Sequence, residues 1–133
     1  MADDDEDDRY MMKEALAKAG VSLPVFCVED GEELLTLLQE HQDQNAVHPA
    51  FILLDLNMPK MDGRKSLELI RKDESLKKIP VIIFTTSDSE DDIAHAYEYG
   101  ANSFILKPSS FSSMIDIMKT LKAYWLETVA LPE

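Results

Sequence analysis

The chain has one cysteine, no long apolar run and no basic N-terminal segment, and each of these shortages excludes a class of protein. A single thiol, that of Cys27, cannot build the disulfide framework of a small secreted domain. Its apolar neighbours predict a buried, inert side chain. No apolar run approaches the ~20 residues that cross a bilayer, and an acidic N-terminus is unlike a signal peptide. We therefore expect a cytoplasmic protein with no membrane partner.

Basic residues are also scarce, because 13 Lys and Arg stand against 26 Asp and Glu and leave a formal net charge of −13. Nucleic-acid binding depends on Lys and Arg side chains that neutralise phosphates, and the sequence has no basic stripe or tail. We therefore expect no nucleic-acid partner. The length of 133 residues predicts a single domain spanning 1–133.

The chain does contain a regular alternation of strand-like and helix-like segments. Continuously apolar runs, typical of parallel strands that are covered on both faces, occupy residues 24–28, 51–54, 81–84 and 103–106. Segments of helical period occupy residues 8–19, 31–40 and 64–72, a stretch that ends near 99, and a long stretch from 111. Ser87 and Glu90 have the spacing of a capping box at the start of the fourth helix. This order predicts a doubly wound α/β fold with a parallel sheet.

Polar side chains follow the predicted strands at the edge where such a sheet binds ligands. Asp55, Thr85 and Lys107 come directly after three strands, and Asp3 and Asp4 precede the first helix. Taken singly, each has an ordinary explanation. Asp55 could be a turn or helix-capping residue, Thr85 a common strand-end residue, Lys107 a solvated loop lysine, and the acidic N-terminus a solvated segment. Together they fall on one rim, where neighbouring carboxylates repel one another unless a cation intervenes.

Oxygen ligands of this kind suit Mg²⁺. An aspartate can attack a phosphoryl group to give an aspartyl-phosphate, whose oxygens a hydroxyl and an ammonium can bind. Asp55 is therefore the candidate nucleophile, with Thr85 and Lys107 as phosphoryl ligands.

Three segments resemble the receiver domain of two-component response regulators: F-I-L-L-D-L-N-M-P-K-M-D-G (51–63), P-V-I-I-F-T-T-S (80–87) and G-A-N-S-F-I-L-K-P (100–108). The resemblance implies a flavodoxin-like receiver fold with strand order 2-1-3-4-5. The chain is most similar to single-domain regulators associated with bacterial phytochrome kinases. The segments that carry this similarity are the N-M-P tripeptide, the S-F-I-L-K-P-S-S-F segment and the Y-W-L sequence near the end.

Residue by residue, the resemblance makes Asp55 the phosphoacceptor, with Thr85 and Lys107 binding the phosphoryl oxygens. It also implies a Mg²⁺ site made by Asp3, Asp4, Asp55 and the backbone carbonyl of Asn57. Phe104 matches the aromatic that acts with Thr85 as the switch, and the bond between Lys107 and Pro108 is expected to be cis.

The function implied is phosphoryl transfer from a sensor histidine kinase, of phytochrome type, to Asp55. The face formed by the fourth helix, fifth strand and fifth helix, called the 4-5-5 face, would then change shape and contact a protein, a phosphorelay partner or a second copy. No enzyme activity is expected beyond self-phosphorylation and slow autodephosphorylation.

One feature departs from the family pattern, because only Met1 and Ala2 precede Asp3 where receivers have a hydrophobic first strand. We expect that first strand to be truncated, through a start site assigned too late or a shortened chain. A four-stranded or rearranged sheet, misplaced Asp3 and Asp4, and a strand-exchanged oligomer or homodimer are the expected consequences.

Two other functions use the same residues. A haloacid-dehalogenase-type phosphatase also has an aspartate nucleophile after a strand, but it normally has a second aspartate two positions later, where this chain has Asn57. A degenerate receiver would act as a constitutive interaction module, and phosphoryl loading of Asp55 distinguishes it from an active one.

Overall fold

The strands and helices follow the predicted order in the computed structural model, which describes residues 1–43 and 49–132. The helices are α1 (Glu6–Lys18), α2 (Gly31–Asp43), α3 (Gly63–Lys72), α4 (Glu90–Glu98) and α5 (Phe111–Leu121), and a π-helical turn, Lys122–Leu126, continues the last of them. The strands are β1 (Ile52–Leu54), β2 (Val81–Thr85) and β3 (Ser103–Leu106). None of the described helices is both long and apolar enough to cross a membrane.

The sheet is parallel, with strand order β1-β2-β3, and residue alternation divides its side chains between two apolar clusters. Leu54, Val81 and Ile83 pack on the face that carries α2, α3 and α4. Ile82 and Phe84 pack on the other face, against α1 and α5. Both faces of the sheet are covered, so the predicted doubly wound α/β class is confirmed.

The first residues of the chain supply a remnant of the central strand. Ala2 forms parallel bridges to both Val28 and Leu54. Its amide donates to the Leu53 carbonyl at 2.9 Å, the Asp55 amide donates to the Ala2 carbonyl at 3.0 Å, and the Asp3 amide donates to the Val28 carbonyl at 3.0 Å. The spatial order therefore matches 2-1-3-4-5, and the expectation that Asp3 and Asp4 would be misplaced is wrong, because these bonds hold Asp3 beside β1.

The predicted strand at 24–28 is also wrong, because only Val28 is in a bridge. The Met1 ammonium donates to the Phe26 carbonyl at 2.7 Å and the Val28 amide donates to the Met1 carbonyl at 2.9 Å, so pairing in the described structure is confined to the end of this segment. An apolar cavity of about 720 Å³ lies beside this segment, between Pro24 and Phe51. Cys27 is half-buried rather than fully buried as predicted.

Two helix starts differ from the sequence pattern for reasons visible in the caps. Asp5 caps α1 by accepting from the amides of Asp7 and Asp8, so α1 begins two residues earlier than predicted. The predicted capping box is wrong, since Ser89 caps α4. Ser87 instead donates its hydroxyl to Asp92 Oδ2 at 2.6 Å.

Arg71, near the end of α3, joins the starts of β2 and β3. Its guanidinium donates to three carbonyls, those of Lys77 (3.0 Å), Ile79 (2.8 Å) and Gly100 (2.8 Å), and to Asn102 Oδ1 (3.0 Å). Arg71→Met leaves these acceptors without a charged donor, so we expect a loss of about 2 kcal/mol in unfolding free energy by urea titration. The control is Lys72→Met, which removes only an exposed pair with Glu68 and should leave stability almost unchanged.

Candidate functional site

The carboxyl ends of the strands bring together a lysine and three carboxylates. Lys107 follows β3, Asp55 follows β1, and Asp3 follows the bridge residue Ala2. The Lys107 ammonium donates to Asp3 Oδ2 at 2.5 Å, to Asp55 Oδ2 at 2.9 Å and to Asp8 Oδ2 at 2.9 Å. The side chains of Lys107, Asp3 and Asp55 are 7%, 0% and 9% exposed, so the charges meet away from bulk water.

Asp8 is the member of this cluster that sequence reasoning missed. It stands in an acidic run, which is usually a solvated helix start, and α1 was predicted to begin only there. The sequence did contain a signal for Asp8, namely the helix phase, which is the periodic spacing that decides which side chains of α1 face the sheet. Asp8, Met12 and Ala15 are spaced i, i+4 and i+7, and the last two are buried against the sheet. Asp8 therefore lies on the inward face of α1, at the rim.

Burial and hydrogen bonding set the protonation of this cluster. Burial raises the pKa of the Asp3 carboxyl above its usual range, against the opposing effect of the hydrogen bond from Lys107. Burial acts to lower the pKa of Lys107, but the hydrogen bonds to Asp3, Asp8 and Asp55 together outweigh it and raise the pKa above its usual value. Lys107 is therefore a cation held in place by carboxylates at neutral pH.

Three carboxylates have the spacing of a divalent metal site. Asp3, Asp4 and Asp55 each offer one oxygen, and these oxygens lie within 4.8 Å of one another. Asp4 is exposed, which leaves room for water ligands, as Mg²⁺ requires. Hard oxygen donors in this arrangement fit the predicted ion. Asn57 is exposed, and its backbone amide donates to Asp55 Oδ1 at 3.4 Å. Metal binding by its backbone carbonyl stays a prediction.

The predicted switch residues lie beside the charged cluster but outside its contacts. Thr85 ends β2 and is fully buried, and its hydroxyl accepts from the Ser87 amide at 3.4 Å rather than touching Asp55 or Lys107. The Thr85 carbonyl accepts from the Lys107 amide at 2.8 Å, which ties the two strand ends together. Phe104 is half-buried and packs against the core cluster on the α3 and α4 side.

The peptide bond between Lys107 and Pro108 is trans, so the expected cis bond is wrong. A trans bond is the lower-energy form even before proline, and the Lys107 contacts are made with it.

Gly63 fixes the loop that carries Asp55. Its amide donates to the Leu56 carbonyl at 2.9 Å, and a Cβ built on it would lie 2.0 Å from the Asp55 carbonyl oxygen. Asp62, just before it, caps α3 through the Lys65 amide. The start of α3 therefore packs directly on the backbone of the candidate nucleophile.

A family model described as the response regulator receiver domain matches residues 1–119. The chain belongs to this family. Among curated proteins, the receiver is 34% identical to the response regulator Rcp1 of Synechocystis over 133 residues, which cover 99% of this chain and 90% of Rcp1. The family assignment confirms the resemblance of segments 51–63, 80–87 and 100–108 noted in the sequence.

Solved structures show the same receiver fold. The phosphorylated cyanobacterial phytochrome response regulator RcpA superposes with a TM-score of 0.90 at 41% identity, covering 99% of this chain and 95% of RcpA. The Mn²⁺-bound form of Rcp1 superposes with a TM-score of 0.87 at 34% identity, covering 99% and 96% of the two chains. One relative of this receiver thus has a phosphorylated structure and another a metal-bound one.

Proposed function

We propose that this receiver accepts a phosphoryl group on Asp55 and uses it to change the face formed by α4, β3 and α5. The observation that carries the proposal is the environment of the Asp55 carboxylate. It is almost buried, it contacts the Lys107 ammonium at 2.9 Å, and it lies within 4.8 Å of oxygens from Asp3 and Asp4. A nucleophile, a cation for the phosphoryl oxygens and a metal-binding acidic pair thus share one rim.

The proposed transfer uses the residues already in contact. One Asp55 carboxylate oxygen forms a bond to phosphorus while the phosphorus–nitrogen bond of a phosphohistidine breaks. The leaving imidazole nitrogen keeps that electron pair and takes a proton from solvent. Lys107 then donates a hydrogen bond to a phosphoryl oxygen in place of one of its three present carboxylate bonds. Mg²⁺, bound by Asp3, Asp4, Asp55 and the Asn57 carbonyl, would supply charge neutralisation for the phosphoryl oxygens.

The proposed switch begins at Thr85. Among the described residues its hydroxyl has only a long, 3.4 Å contact with the Ser87 backbone amide, which a shorter bond to a phosphoryl oxygen can replace. Movement of Thr85 vacates space for Phe104 to turn inward. The face beyond, which corresponds to the 4-5-5 face, exposes apolar side chains suited to a protein contact: Tyr97, Tyr99, Leu106 and Phe111.

The proposed phosphoryl donor is a sensor histidine kinase of phytochrome type. Support comes from the likeness to RcpA and Rcp1, the first of which is a phytochrome response regulator. We propose that residues 1–133 act as one domain, and that its output is a protein contact, including a homodimer. We also propose a strand-exchanged oligomer, because the apolar cavity lined by Met1, Pro24 and Phe51 has room for an exchanged strand.

Incubation with Mg²⁺ and acetyl phosphate tests the proposal. Intact-protein mass spectrometry should show one phosphoryl adduct on the wild-type chain and none on Asp55→Asn. That substitution keeps the side-chain shape but removes the nucleophilic charge. Asp62→Asn is the matched control, because Asp62 is an N-cap on the same loop and should label normally. An unlabelled wild-type chain would favour the degenerate receiver instead.

A further inference from the structure

We infer that Asp8 is a positioning residue of the phosphoryl site, where it competes with the incoming anion for Lys107. Asp8 thereby strengthens metal binding and weakens phosphoryl binding. The inference rests on the proposed function, and it concerns a residue outside the expected set of Asp3, Asp4, Asp55, Asn57, Thr85 and Lys107.

The geometry gives Asp8 a direct share of the only lysine in the described site. Lys107 has three ammonium hydrogens, and Asp3, Asp55 and Asp8 use all of them. A phosphoryl oxygen that binds Lys107 must therefore displace one carboxylate. Asp8 is the one with most access to water, since its side chain is 33% exposed while that of Asp3 is fully buried. Release of Asp8 consequently carries the smallest desolvation cost.

Charge acts in the same direction as this competition. The oxygens of Asp8 and Asp55 are each 2.9 Å from the same nitrogen, so they are at most twice that distance apart. A phosphoryl group on Asp55 adds about −1.5 to −2 charge at this point. The Asp8 carboxylate repels this added negative charge and attracts a divalent cation. At the high effective dielectric of a partly solvated site, each effect changes the affinity by about 3- to 10-fold.

Opposite shifts in two affinities are the signature of this role. In Asp8→Asn we expect Mg²⁺, titrated alone by calorimetry, to bind about 3-fold more weakly. We expect beryllofluoride to bind about 3- to 10-fold more tightly at a Mg²⁺ concentration about ten times the dissociation constant of each variant. A purely structural role would weaken both together.

Asp7→Asn is the matched control, because it removes the same charge from the neighbouring position of α1. Asp7 is exposed. In the described structure its backbone amide donates a hydrogen bond to Asp5 Oδ1, while its carboxylate makes no such bond. Both of its affinities should change less than about 2-fold. Equal shifts in Asp7→Asn and Asp8→Asn, or weaker beryllofluoride binding in Asp8→Asn, would overturn the inference. A wild-type chain that binds Mg²⁺ but no beryllofluoride would overturn the proposed function instead.

Discussion

Lys107→Met should lower the unfolding free energy by about 3–5 kcal/mol at neutral pH, because it leaves buried carboxylates without their cation. Lys107 is 7% exposed and donates to Asp3, Asp55 and Asp8, the first of which has no exposed surface at all. Methionine fills most of the space of the lysine stem but supplies no charge. Urea unfolding followed by circular dichroism measures the loss directly.

The loss should depend on pH in a direction set by the remaining carboxylates. The pKa of Lys107 is raised, so its stabilising effect is fully present below the ordinary value of 10.5 and disappears only above it. Burial raises the pKa of Asp3, so its protonated form favours folding below the ordinary value of 3.8, and this is lost as the pH rises through the folded value. The deficit of the variant should therefore be smallest near pH 4 and grow toward pH 7.

Mg²⁺ should restore part of the stability of Lys107→Met, since a bound cation again neutralises Asp3 and Asp55 and stabilises the folded state by mass action. Lys13→Met, an exposed change on α1, is the control and should leave the unfolding free energy almost unchanged at every pH. A pH-independent deficit would show that lost packing, rather than lost charge, dominates.

The sequence contained enough to predict the rim but not its full contact set. Three apolar runs, each followed by a polar residue, placed Asp55, Thr85 and Lys107 together, because parallel strands end at one edge of a sheet. Asp8 was not predicted as a site residue, because an acidic run is usually solvent-exposed and the inward-facing side of α1 was not known. Charged contacts between a helix and a distant strand depend on the helix phase, which the spacing of Asp8, Met12 and Ala15 indicates once α1 is known to begin at Glu6.

Two other errors arose because a local sequence pattern did not decide the local structure. Apolar residues 24–28 have strand propensity, but a strand also needs a partner, and only Val28 has one, in Ala2. Ser87 has the spacing of a cap, yet its hydroxyl bonds the Asp92 carboxylate, which Arg64 also contacts at 2.8 Å, and Ser89 takes the cap. Charge-assisted bonds are stronger than neutral ones, so the bond from Ser87 to the Asp92 carboxylate prevails.

Gly63→Ala should destabilise the fold by about 3 kcal/mol or more and separate Asp55 from its ligands. The added Cβ would lie 2.0 Å from the Asp55 carbonyl oxygen and 2.8 Å from both the Asp55 carbonyl carbon and Leu56 Cα. All of these are backbone atoms that no side-chain rotation can move, so the loop or the start of α3 must shift. We expect beryllofluoride binding to weaken at least about 10-fold, since a displacement of about 1 Å at a reacting group is costly.

Gly20→Ala separates this steric effect from a general effect of glycine replacement. Gly20 has a φ of +85°, and its new Cβ would approach only the end of the flexible Lys122 side chain, at 3.1 Å. The cost should be about 1 kcal/mol of backbone strain. Beryllofluoride affinity should be unchanged, because Gly20 follows the carboxyl end of α1, whereas Asp8, near the amino end of α1, lies at the rim. Equal losses of beryllofluoride affinity in the two variants would contradict the role of Gly63. A loss confined to Gly63→Ala means that contact between α3 and the Asp55 backbone holds the Asp55 carboxylate in position.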